Sequence, residues 1–188
     1  MGDARGAALH PRIEELLEHL EETRAALIDA VRHVAPDRRD ARAGEGRWTV
    51  GEVLDHVSRV EAGYARLLGK RVSDARARGL SRETETSSIL GSVASGPLTD
   101  RTRRLEAPEI VVPRQGATVD EGLAALASSR AAVRAALLDA NGLALGTLTQ
   151  DHPFLGTMNM YQWGVFVGLH DLRHAAQIRE VAHPSAGS

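Results

Sequence analysis

The chain has 188 residues, with 43% hydrophobic and 26% charged side chains, a balance that fits one folded domain and excludes wholesale disorder. A net charge of -2 excludes a strong global field for nucleic acid or an anionic membrane, and the absence of cysteine excludes disulfides, thiol nucleophiles and thiolate ligands from the chain itself. With only two each of Trp, Tyr and Phe, the core must be built from Ala, Leu and Val, which suits close-packed helices.

The opening MGDARGAALHPR carries no apolar signal core, and nowhere do 18 apolar residues run together. A cytoplasmic protein is expected. The first predicted helix follows Pro11. Ile13, Leu16, Leu17, Leu20, Leu27, Val31 and Val34 form its 3.6-period stripe, interrupted at Arg24, and Pro36 ends it. DRRDARAGEGR then reads as a loop.

The second helix opens at a capping box, Thr49 with Glu52. Val50, Val53, Leu54, Val57, Val60, Tyr64, Leu67 and Leu68 repeat at helical spacing, and the helix is expected to fray near 73–79. His56 sits about 60° from the centre of this stripe, facing a neighbouring helix. Asp55 points away and is expected in solvent. Glu52, one turn before His56, serves the cap, the support of His56, or both.

Residues 73–117 read as a long crossover with one short helix. The RTRR run at 101–104 lies here. It is short and has no aromatic neighbour, so a solvated loop explains it better than nucleic-acid binding. The third helix begins at a second capping box, Thr118 with Glu121, and carries Val119, Leu123, Leu126, Val133 and Leu137. Asn141–Gly146 ends it. DHPFLGT follows as a turn, and no β-pattern exceeds a few residues.

The last helix is predicted from about Met158 to Val181, with His183-Pro184 ending it and 184–188 as a flexible tail. Val165, Leu169, Leu172 and Ala176 share one face. Trp163, Phe166, His170, His174, Gln177 and Val181 share another. A helix apolar on two faces is buried on both. His170 and His174 sit within an apolar stripe, where their nitrogens need partners. Two readings are open. Each ring bonds a nearby carbonyl or carboxylate, or the pair, one helical turn apart, grips a metal with a third ligand from elsewhere. His56 is the best third ligand. His10, His19, His33 and His183 are expected to be exposed, while His152, before a proline, is a candidate to line a site.

Two segments carry a family likeness: RWTVGEVLDHVSRVE, with Trp48 and His56, and HPFLGTMNMYQWGVFVGLHDLRHAAQI, with its His-Pro, Gly156, Trp163 and H-x-x-R-H-x-x-Q-I. The chain resembles the DinB-like (YfiT-like) superfamily of metal-dependent enzymes. That resemblance implies an all-α four-helix bundle in up-down-down-up order, one domain over 1–188, with a long crossover between helices 2 and 3. It implies a divalent metal (zinc, nickel or iron) on His56, His170 and His174. Glu52, His152, Trp163, Arg173 and Gln177 are expected to support the metal or line the pocket. For Arg173 a salt bridge to a neighbouring helix competes with contact to an anionic substrate.

Three imidazoles leave a coordination position open, as catalytic sites do. The resemblance implies a thiol-dependent S-transferase or isomerase with a low-molecular-weight thiol as cosubstrate. The alternatives are a hydrolase using a metal-activated hydroxide and a non-catalytic stress-related binding protein. The expected partners are a small-molecule substrate and a second copy in a homodimer, with no nucleic acid and no membrane.

Overall fold

The computed structural model describes residues 8–102 and 106–182. His183, the 184–188 tail, and Arg103 and Arg104 of the RTRR run lie outside the described residues. Four principal helices are present: α1 (Pro11–Arg32), α2 (Val50–Arg76), α4 (Val119–Asp139) and α5 (Met160–Ala182). A single turn of helix, α3 (Ser95–Thr99), lies in the crossover between α2 and α4. No described helix is long and apolar enough to cross a membrane.

Local chemistry fixes the helix starts. Pro11 occupies the first turn of α1, and His10 Nδ1 accepts the Arg12 N–H at 3.3 Å. Both predicted capping boxes form. The Glu52 N–H donates to Thr49 Oγ1 at 3.2 Å while the Thr49 N–H donates to Glu52 Oε2 at 3.0 Å. Glu121 and Thr118 repeat the exchange at the start of α4.

Contacts along the helices fix their directions. Gly51, at the start of α2, packs against the Ala117 carbonyl before α4, and Arg76 and Asp139 pair at 2.7 Å at the far ends, so α2 and α4 run parallel. Leu16 meets Gly164 and Arg24 meets Asp171, so α1 and α5 also run parallel. Tyr64 Oη donates to the Met160 carbonyl while His56 meets His170, so α2 and α5 are antiparallel. The bundle is therefore up-down-down-up, as expected. The long crossover is what lets α2 and α4 share a direction.

The predicted turn DHPFLGT is more than a turn. It joins two four-residue strands, β1 (Thr149–His152) and β2 (Gly156–Asn159), paired antiparallel from Thr149↔Asn159 to His152↔Gly156. Gly156 adopts φ +72°, a left-handed conformation that closes the hairpin without a Cβ penalty. Strands this short leave too few alternations to be read from sequence.

The interior is two apolar clusters separated by a polar layer. Ile13, Leu16, Leu20, Tyr64, Leu137 and Met160 belong to one cluster, and Leu27, Val31, Val53, Leu126 and Ile178 to the other. Between them each principal helix contributes one charge: Arg24, Glu61, Arg130 and Asp171. Arg24 binds Glu61 and Asp171 at 2.9 Å each. Arg130 reaches Glu61 at 2.6 Å and Asp171 at 3.1 Å, and Ser129 Oγ donates to Glu61. Arg24 therefore does not break the stripe of α1 toward solvent. It points inward, 8% exposed, because two carboxylates receive it.

Other expectations also change. His10 and His19 are half-buried, and His19 Nε2 lies 3.2 Å from the Val165 carbonyl. Asp55 pairs with Arg59 at 2.6 Å and accepts the Arg114 N–H at 2.8 Å, so it pins the crossover rather than facing water. On α5, Leu172 and Ala176 are only half-buried. The deepest face carries Gly164, Gly168, Asp171, Ala175 and Ile178, and its two glycines let Leu16 and His19 of α1 approach.

Candidate metal centre

His56 lies two turns into α2, and His170 and His174 lie one turn apart on α5. Because the two helices are antiparallel and in contact, the three rings converge. His56 Nε2 is 3.2 Å from His170 Nε2, and His174 Nε2 is 3.1 Å from the same atom. One ligand nitrogen from each ring lies within 4.8 Å of the others. Three nitrogens on a tetrahedral zinc at a bond length of about 2.05 Å would stand roughly 3.3 Å apart.

The far nitrogens decide the protonation of the near ones. His56 Nδ1 lies 2.7 Å from the Val111 carbonyl, which can only accept, so Nδ1 carries the proton. His174 Nδ1 lies 2.7 Å from Gln177 Oε1 and is fixed in the same way. In each neutral ring Nε2 is then a bare lone pair. Both lone pairs aim at His170 Nε2, which has one proton at most to offer. At least one lone pair is therefore left without a proton aimed at it, an arrangement a cation relieves and a protein interior otherwise disfavours.

Burial keeps these rings neutral. His56 and His174 are 5% exposed, while His170 is partly open to solvent. Burial first, and the neighbouring imidazoles second, push His170 and His174 well below the ordinary histidine value. Burial lowers His56 as well, against the raising effect of its bond to Val111. The neutral imidazole is the metal-binding form. The residues present fit a divalent ion.

Aromatic rings wall the triad. Trp48 lies 4.8 Å from His56 between ring centroids, and Phe166 lies 5.6 Å from His170. His152, at the end of β1, packs on Phe166 at 4.6 Å and on Trp163 at 4.9 Å. Its Nδ1 accepts the Phe154 N–H at 3.2 Å, so the neutral ring carries its proton on Nε2. Burial lowers the proton affinity of His152. Trp163 anchors the hairpin by donating its indole N–H to the Gln150 carbonyl at 3.2 Å.

Two expected site residues are engaged by the crossover. The Glu52 carboxylate is taken up by Thr49, by Arg42 at 2.8 and 2.9 Å, and by the Gly116 N–H at 3.2 Å, so it serves the cap and the crossover. The partner of His56 is the Val111 carbonyl instead. Arg173 turns to the crossover, where it donates to the Leu98 and Asp100 carbonyls. Val111 could not be read from sequence, because a backbone carbonyl has no side-chain signature. Trp48 had one: an aromatic two residues before the helix that carries His56. A hollow of about 470 Å³ between α2 and α4 touches none of the three histidines.

The chain is 23% identical over 164 residues to an uncharacterized protein of Bacillus subtilis (strain 168), YuaE, covering 85% of this chain and 93% of that one. A crystal structure of TT2238, described as a four-helix bundle protein, is 24% identical with a TM-score of 0.58, covering 89% of this chain and 98% of that one. This second likeness is one of fold alone. A family model of the DinB superfamily matches residues 19–178, a span that reaches into all four principal helices and includes His56, His170 and His174. The chain belongs to the DinB superfamily.

Proposed function

We propose that this protein is a divalent-metal-dependent enzyme that joins a low-molecular-weight thiol to a small electrophile. The observation that carries the metal is the convergence of His56, His170 and His174 with their far nitrogens already committed to Val111 and Gln177. These three residues would hold the ion and leave a position open. When bound, a divalent ion there supplies Lewis acidity, lowering the pKa of a coordinated thiol or water.

The chain's own residues supply orientation and a dry setting. The Val111 carbonyl and Gln177 Oε1 hold two rings in one tautomer and one direction. Phe166, Trp163 and Trp48 lower the local dielectric, which strengthens any charge interaction at the centre. With no cysteine in the chain, the sulfur must come from a cosubstrate. In the overall exchange the thiol sulfur bonds to the electrophilic carbon, and the leaving group departs with its electron pair. The thiol proton ends on that leaving group or in solvent.

Elemental analysis of untagged protein, followed by an electrophile assay with and without thiols, tests the reading. One divalent ion per chain and turnover that requires a thiol are expected. Thiol-independent turnover would replace the proposal with hydrolysis. Bound metal without turnover across thiol and ester panels would leave a binding protein.

A further inference from the structure

A cavity of about 260 Å³ adjoins the triad toward the C-terminal end of α5. Trp48 and Gln177 line it, and these residues also touch His56 and His174, so cavity and metal centre share two walls. The charged residues in its lining are Arg47, Arg101, Arg173 and Glu106. Arg101 is neutralised by Glu180 through two 3.0 Å bonds. Arg173 is 6% exposed and held by backbone carbonyls. Arg47 is half-buried, and among the described residues no hydrogen bond or ion pair reaches its guanidinium.

Arg47 lies against the cavity with its guanidinium fork uncommitted among the described residues, so the fork is available to an anion. A carboxylate restores two parallel bonds to that fork, which is the geometry arginine binds best. At roughly 30 Å³ per water, the cavity has the volume of about nine waters, room for a carboxylate on a short carbon chain. We propose that this cavity is an anion subsite of the metal centre, taking the carboxylate of a small molecule whose other end reaches the histidine triad. The link to the triad rests on the function proposed above. Carboxylate binding in the cavity does not.

The test uses the full chain, 3-mercaptopropionate and its uncharged counterpart 3-mercaptopropionamide, with the indole N–H resonances of Trp48 and Trp163 as reporters. In metal-free protein the acid is expected to shift Trp48 but not Trp163, with a midpoint at least tenfold lower than the amide. Arg47→Gln, outside every helix, should raise the acid's midpoint at least fivefold. Arg47→Lys, which keeps the charge and loses the fork, should fall between.

With metal loaded, a further tightening of the acid places sulfur and carboxylate on one molecule, the thiol. An unchanged midpoint assigns the carboxylate to the electrophile. Both outcomes keep the subsite. Equal midpoints for acid and amide, or an unaltered midpoint in Arg47→Gln, overturn it. Failure of the wild-type chain to bind any divalent ion would overturn the metal-dependent function while leaving the metal-free result standing.

Discussion

His170 and Asp171 are neighbours in sequence, yet they belong to two buried polar clusters of different kinds. Asp171 joins Arg24, Glu61 and Arg130 in a layer with two positive and two negative charges, and each charge meets its opposite within 3.1 Å. His170 joins His56 and His174, where no opposite charge is present and three ring nitrogens meet at 3.1 and 3.2 Å with at most one proton between them. The ionic layer balances its charges from the chain, although Arg130 Nη1 and Asp171 Oδ1 are buried with no hydrogen-bond partner among the described residues. The triad has no opposite charge from the chain, and its donor set is one that a divalent cation would complete. Polar burial alone therefore does not mark a site. What marks it is converging lone pairs without an opposite charge while the outer bonds are finished.

The comparison can be broken at either cluster. The largest effect is expected in the ionic layer. Glu61→Leu leaves Arg24 and Arg130 short of a counter-ion and should cost about 3–5 kcal/mol in urea unfolding. Metal stoichiometry per folded molecule should stay the same. A Glu61→Leu chain that kept its stability but lost metal would merge the two clusters into one.

The second effect comes from the triad. Metal at 1,000 times its Kd should stabilise the wild type by about 4 kcal/mol. In a His170→Leu, His174→Leu double variant this gain should vanish. The metal-free double variant should be no less stable than metal-free wild type, because ring nitrogens short of a proton have been replaced by apolar groups. Melting curves with and without zinc measure both quantities.

A smaller change sharpens the role of the outer bonds. Gln177→Ala removes the acceptor that orients His174, and metal affinity should fall about 10- to 100-fold with little change in metal-free stability. Competition with a chelator of known affinity reads the loss.

The smallest effect is the pH dependence of metal-free protein. The three histidines have depressed proton affinity in the fold, chiefly through burial. Below about pH 6.5 the unfolded chain takes up protons that the folded chain refuses, so stability falls with pH. Each refused proton contributes a slope of about 1.4 kcal/mol per pH unit. Asp171 acts in the opposite sense. Burial raises its carboxyl to about 6, so the folded state is protonated first and gains stability below that pH. His152 is depressed in the same way, and four groups against one leave a net loss between pH 6.5 and 5, visible in urea midpoints. A flat profile there would mean that the triad accepts protons and is not held as three neutral ligands.

Much of the fold was legible because its signals are local. Thr49–Glu52 and Thr118–Glu121 announce helix starts by chemistry contained within four residues. The 3.6-period stripes name most of the buried face of α2, and the long crossover expected over 73–117 allowed the parallel pair. His170 and His174 were legible as a pair for the same reason, one turn apart on one helix. Arg24, Asp55 and His19 were misread because a polar residue on a helix is assigned to solvent until a partner is known, and their partners lie on other elements or in the crossover.

The sequence by itself determined four amphipathic helices, their caps and a pair of imidazoles able to point one way, since these depend on neighbours within a turn. Tertiary structure alone decided that His56 meets His170 across 114 residues, that the Val111 carbonyl rather than Glu52 sets its tautomer, and that Arg24 and Asp171 are core. Those outcomes depend on which helix faces are pressed together and at what level. A contact between distant residues carries no energy until packing has brought both of them out of water.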